Sequence, residues 1–113
     1  MGMKMSDILM QLSKVLNDRH KASPKSSYVA SLHELGLDKI LEKIGEESTE
    51  LIISAKNSNS SSNRAKVVGE VADLWFHCMV LLSHLDGDVT DVLDCLQERF
   101  GVSGMEEKAS RRT

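Results

Sequence analysis

Apolar residues recur along this chain at intervals of three and four, and no segment shows the two-residue alternation of a strand. The first stripe is Ile8, Leu9, Leu12, Val15 and Leu16, with Ser6 placed to cap the helix that carries it. The only proline, Pro24, stands in the polar run KASPKSS and marks a loop. A short second helix is predicted from about Ser27 to Gly36, glycine being a natural residue for a helix end. The third is predicted over 37–56, with Leu37, Ile40, Leu41, Ile44, Leu51, Ile52 and Ala55 as its apolar positions. Residues 57–63, NSNSSSN, are too polar to fold alone and read as a flexible connection. A long helix should run from Arg64 to about Leu85. Asp88 can cap a last helix with the stripe Val89, Val92, Leu93, Leu96 and Phe100, ending at Gly101. Residues 1–5 are expected to be disordered, and 102–113, VSGMEEKASRRT, form a basic tail with little to bury. The pattern predicts an all-α bundle of about five helices, one domain over 1–113.

Composition narrows the function classes. A chain of 113 residues can bury a core of its own. Its longest apolar run, CMVLL at 78–82, is far short of the roughly 20 residues a membrane span needs. The start lacks a secretory apolar region and cleavage site, so the chain is expected to be cytoplasmic. Gly2 and Ser6 fit an N-myristoylation pattern, but methionines at 1, 3 and 5 point instead to an ambiguous start. With 14 basic and 17 acidic groups, a broad nucleic-acid surface is not expected. Cys78 and Cys95 both fall in helical apolar patterns and read as small core hydrophobes rather than a disulfide framework.

The chemistry lies in the acids of the two long helices. In KIGEESTE, residues 43–50, Lys43, Glu46, Glu47 and Glu50 share one face, with Glu47 bordering the apolar stripe. Alone, this is an ordinary solvated face. In VVGEVADLWFHCMVLL, residues 67–82, Glu70, Asp73 and His77 are the only acidic or basic side chains, and they too share a face. A helix apolar nearly all round is a central one. Carboxylates buried there cost several kcal/mol each unless a cation answers them. Two antiparallel helices would bring Glu47, Glu50, Glu70 and Asp73 together. An all-oxygen donor set suits Mg²⁺. A di-iron bundle site expects a Glu-x-x-His pair on each of two helices, and neither acidic helix carries one.

These residues resemble a known family. Glu46-Glu47-x-x-Glu50, a spacer and Glu70-x-x-Asp73 look like the EExxE…ExxD signature of the all-α nucleoside triphosphate pyrophosphohydrolases, the MazG-like superfamily. Within it, SSYVASL at 26–32, DKILEKIGEESTELIISAK at 38–56, GEVADLWFHCMVLL at 69–82 and ERFGVSGMEEKASRR at 98–112 look most like the phosphoribosyl-ATP pyrophosphatase family of histidine biosynthesis. The resemblance implies a MazG-like bundle completed by dimerisation, as a homodimer or higher homo-oligomer. It implies hydrolysis of phosphoribosyl-ATP to phosphoribosyl-AMP and pyrophosphate with Mg²⁺. It carries metal binding onto Glu47, Glu50, Glu70 and Asp73, and a supporting or base role onto Glu46. Phe76 departs from the tyrosine common at that position. The family is often fused to phosphoribosyl-AMP cyclohydrolase, which 113 residues leave no room for, so that enzyme is expected as a separate chain.

A strongly anionic substrate needs cations. The candidates are Arg19, Lys39, Lys43, and Lys108, Arg111 and Arg112 of the tail; Lys43 can also simply pair with Glu47. His77 is assigned to the substrate side, as a satisfied interior or supporting group rather than a metal ligand. His20, His33 and His84 are scattered in the sequence and receive no role. Two alternatives remain: a house-cleaning (d)NTP pyrophosphohydrolase of the same superfamily, and a non-catalytic helical interaction module. The first would leave the basic tail without a task, and the second has no need of buried acids.

Overall fold

Local punctuation sets the helix boundaries. A computed structural model describes residues 5–57 and 61–101, in which the helices are α1 (Met5–His20), α2 (Tyr28–Leu35), α3 (Leu37–Lys56), α4 (Ser61–His84) and α5 (Val89–Phe100). No strand occurs among the described residues. Ser27, in extended backbone, caps α2 by accepting a hydrogen bond from the Ala30 N–H at 3.2 Å. Gly36 closes α2 at φ +101°, donating to the Leu32 carbonyl, and α3 begins at the next residue. That left-handed value is one an L side chain rarely adopts, which is why glycine stands there. Asp88 and Asp91 form a reciprocal capping box at the start of α5.

Two boundaries differ from the sequence reading. α1 starts at Met5, so Ser6 lies inside the helix instead of ahead of it, and residues 1–4 fall outside the described part. α4 starts at Ser61, three residues before Arg64, so the polar connection is shorter than 57–63. The reason is local: the Asn63 side-chain amide donates to the Asn57 carbonyl at 2.8 Å, holding the new helix against the end of the old one.

α3 and α4 pack along each other as a hairpin, the most extensive contact between elements, and α1 crosses α4, α2 and α5. The core is Leu16, Val29, Leu32, Ile40, Met79, Val80 and Val89, with Leu9, Leu12, Ile44, Phe76, Leu81 and Leu93 packed against it. Ser83 Oγ donates to Asn17 Oδ1 at 2.6 Å, tying α4 to α1.

The apolar stripes are wider than this core. Ile8 and Val15 of α1, Leu37, Leu41 and Ile52 of α3, and Val92, Leu96 and Phe100 of α5 are exposed in the single chain. The central helix is itself left uncovered at Val68 and Trp75. Among the described residues, the other four helices leave this side of α4 uncovered. Cys95, expected inside, is exposed on α5, and Cys78 is half-buried; both are free thiols. No described helix is long and apolar enough to cross a membrane.

Candidate active site

The α3–α4 hairpin brings the two acidic faces together. Glu47 from α3 and Glu70 and Asp73 from α4 each offer a carboxylate oxygen, and the three oxygens lie within 4.8 Å of one another. Glu47 is only 9% exposed, because its place beside Ile44 turns it toward α4. The Oε2 atoms of Glu47 and Glu70 are shielded from solvent and have no hydrogen-bond partner. Such atoms are costly unless something absent from the polypeptide satisfies them. Glu70 is pushed above the usual glutamate range, first by burial and then by the charges of Glu50, Glu47 and Asp73. A hydrogen bond that the protonated Glu70 carboxyl donates to Glu50 adds to the shift, which places that fourth carboxylate beside the cluster. Three acids converge with Glu50 beside them, and among the described residues no basic side chain joins the set. An all-oxygen set of this kind could hold a hard dication.

One turn further along α4, His77 is buried and has both nitrogens engaged. Nδ1 donates to the Asp73 carbonyl at 2.9 Å, a group that can only accept. In the neutral ring Nε2 then accepts from the Tyr28 hydroxyl at 2.9 Å. This agrees with a satisfied interior histidine. The Tyr28 ring from α2 also stacks on Phe76, with centroids 6.5 Å apart. Tyr28 thus brings a hydroxyl from α2 to the Phe76–His77 turn of α4. Tyr28 is the residue the sequence reading missed; its signal was the SSY segment, which carried the resemblance but was given no role.

The sequence model of the family described as phosphoribosyl-ATP pyrophosphohydrolase matches residues 9–100. The chain belongs to this family. It is 56% identical over 106 residues to a phosphoribosyl-ATP pyrophosphatase of Hydrogenovibrio crunogenus, an alignment covering 94% of each chain. It is therefore an enzyme of the pyrophosphohydrolase class, and its fold is the all-α MazG-like bundle.

The cations of this pyrophosphohydrolase are distributed unevenly. Lys43 Nζ meets Glu46 Oε2 at 3.1 Å, at i,i+3, instead of pairing with Glu47. That hydrogen bond raises the lysine, with further help from Tyr28 and Glu47, and holds Glu46 below the usual glutamate range. Glu46 is exposed and faces this lysine, apart from the three converging oxygens. Lys39 pairs with Glu42 at 3.5 Å one turn earlier. Arg19 is exposed at the end of α1, next to His20, whose ring stacks near His84 at the far end of α4. Glu70 and His84 are fourteen residues apart, about 21 Å along that helix. Lys108, Arg111 and Arg112 lie outside the described residues.

Proposed function

We propose that the chain hydrolyses the α–β phosphoanhydride of phosphoribosyl-ATP to phosphoribosyl-AMP and pyrophosphate, with Mg²⁺ as cofactor, in the cytoplasmic route to histidine. The observation that carries this reading is that Glu47 of α3 meets Glu70 and Asp73 of α4, with a shielded, unpartnered oxygen on each glutamate, in a chain of this family. Glu47, Glu50, Glu70 and Asp73 would hold the metal. Mg²⁺ bound there supplies positive charge to the anhydride oxygens and makes water a better nucleophile.

The remaining groups act through position. Lys43, held by Glu46 and close to Tyr28 and Glu47, presents an ammonium beside the acids where a phosphate oxygen can meet it. The bond from His77 to the Asp73 carbonyl, and that from Tyr28 to His77, fix α2 against the acid-bearing turn of α4. Glu46 is assigned the task of orienting Lys43, and Arg19, Lys39, Lys108 and Arg111 remain candidates for the outer phosphates. The enzyme is proposed to act as a homodimer, its product passing to a separate phosphoribosyl-AMP cyclohydrolase.

The test is pyrophosphate release from phosphoribosyl-ATP by the purified chain, with Mg²⁺ and with the ion chelated, against a panel of dNTPs. Release is expected only with Mg²⁺, with phosphoribosyl-ATP preferred, and it should be abolished in Asp73→Ala and Glu50→Ala, both exposed positions whose loss spares the core. Near-normal turnover in either variant would remove the carboxylates from the mechanism. Preference for a dNTP would move the chain to the house-cleaning activity.

A further inference from the structure

The three histidines that are scattered in the sequence meet in the fold. We propose that His20, His33 and His84 form a second metal site, all-imidazole, for a transition-metal dication of the Zn²⁺, Ni²⁺ and Cu²⁺ class, which clamps the C-terminal ends of α1, α2 and α4.

Each residue offers a ring nitrogen, and the three nitrogens lie within 4.8 Å of one another. His33 Nδ1 and His84 Nδ1 are 2.9 Å apart. Two nitrogens bound at about 2.0–2.1 Å to one ion are separated by roughly 2.9 Å at a right angle and roughly 3.3 Å at a tetrahedral angle. In the metal-free chain one ring donates its Nδ1–H to the other across this distance, and an ion that displaces that proton finds both nitrogens at ligand spacing. His20 stacks face to face on His33, with centroids 3.6 Å apart and planes 6° from parallel. Parallel rings point their lone pairs side by side, so His20 must swing to complete the set. It is exposed at the last residue of α1 and has room to do so.

A further observation favours a bound cation. His20, His33 and His84 each lie in the last turn of their helices. The negative ends of three helix dipoles therefore converge on the cluster and favour positive charge there. Imidazole nitrogen selects the borderline transition metals over Mg²⁺, so the two sites would not compete for one ion. His20 lines a cleft of about 430 Å³ with Asn17, Lys21, Asp86 and Asp88, which leaves that ring space to swing.

The decisive measurement is Zn²⁺ titration of the full chain carrying Cys95→Ser, which removes the exposed thiol, in excess Mg²⁺. Calorimetry and thermal shift are the readouts, with Co²⁺ absorption as a spectroscopic check. One equivalent of Zn²⁺ is expected to bind and raise the melting temperature. His20→Ala and His84→Ala should each weaken binding by more than about tenfold and cancel the thermal shift. His20 is exposed, so its replacement does not threaten the fold even if that of His84 does. Equal Zn²⁺ affinity in the parent and in His20→Ala, or no stoichiometric binding at all, would overturn the site. Pyrophosphate release is not the readout, so a failure here leaves the hydrolytic reading untouched, and the reverse.

Discussion

Asp88 illustrates how much a single side chain can determine. Its carboxylate accepts from the Thr90 N–H at 2.7 Å and from the Thr90 hydroxyl, and its own N–H donates to Asp91 at 3.0 Å. Those bonds, the Thr90 hydroxyl foremost, hold Asp88 below the usual aspartate range. A carboxylate lowered in this way stabilises the fold above its unfolded pKa, and the benefit is lost as pH falls through the lowered value. Asp88→Ala should therefore cost about 0.5–2 kcal/mol at neutral pH, as lost N-caps do, and the difference should shrink toward zero well below about pH 4. Urea denaturation of both proteins at the two pH values checks it; a constant difference would mean the loss comes from packing. Caps such as Asp88 and Gly36 were legible in the sequence because they act on backbone within three residues of themselves. The histidine cluster was not, since His33 and His84 are 51 residues apart and meet only when α2 and α4 dock. Tyr28 and His77, 49 residues apart, escaped for the same reason.

At the scale of elements, the acidic hairpin was readable because two periodicities had only one sensible way to meet. Acids at intervals of three and four on two helices joined by a short polar link must face each other or remain unpaired. Which stripe positions would be covered was not readable. Ile40 is fully buried while Ile52, on the same helix, is 63% exposed, and period alone cannot tell the side that meets α4 from the side left over. The hairpin also carries an unusual feature: Gly45 and Gly69, each just before an acid, have open space where a Cβ would stand. Among the described residues nothing requires glycine at either position for steric reasons. Glycine in a helix interior costs roughly 0.5–1 kcal/mol relative to alanine. Gly45→Ala is expected to stabilise the metal-free chain by about that amount in chemical denaturation. Destabilisation would show that a neighbour outside the single chain approaches the backbone there.

At the scale of the whole molecule, the described residues leave several large apolar side chains exposed in the single chain. Trp75 is 57% exposed in the middle of the central helix, and with Leu9, Leu82, Val92 and Leu96 it lines a cleft of about 210 Å³. Phe100 and Ile53 add to the uncovered surface. Burying each large side chain fully is worth about 1.5–3 kcal/mol, so a partner covering several of them gains enough to hold two chains together. The proposed homodimer would supply that partner, because closed two-fold dimers let one patch cover itself. Light scattering is expected to give at least twice the chain mass at micromolar concentration. Leu96→Glu places a charge in the centre of that face without touching the acids of the hairpin or the buried core, since Leu96 is itself 44% exposed in the single chain. It should shift the mass toward one chain, with helix content retained in circular dichroism. A parent protein that scatters as a single chain would overturn the expectation, and the exposed tryptophan would then need another occupant. If the dimer forms and Leu96→Glu breaks it, pyrophosphate release by the separated chains decides whether each acidic cluster works alone. Loss of release, with the helices intact, would mean that each site draws on the partner chain.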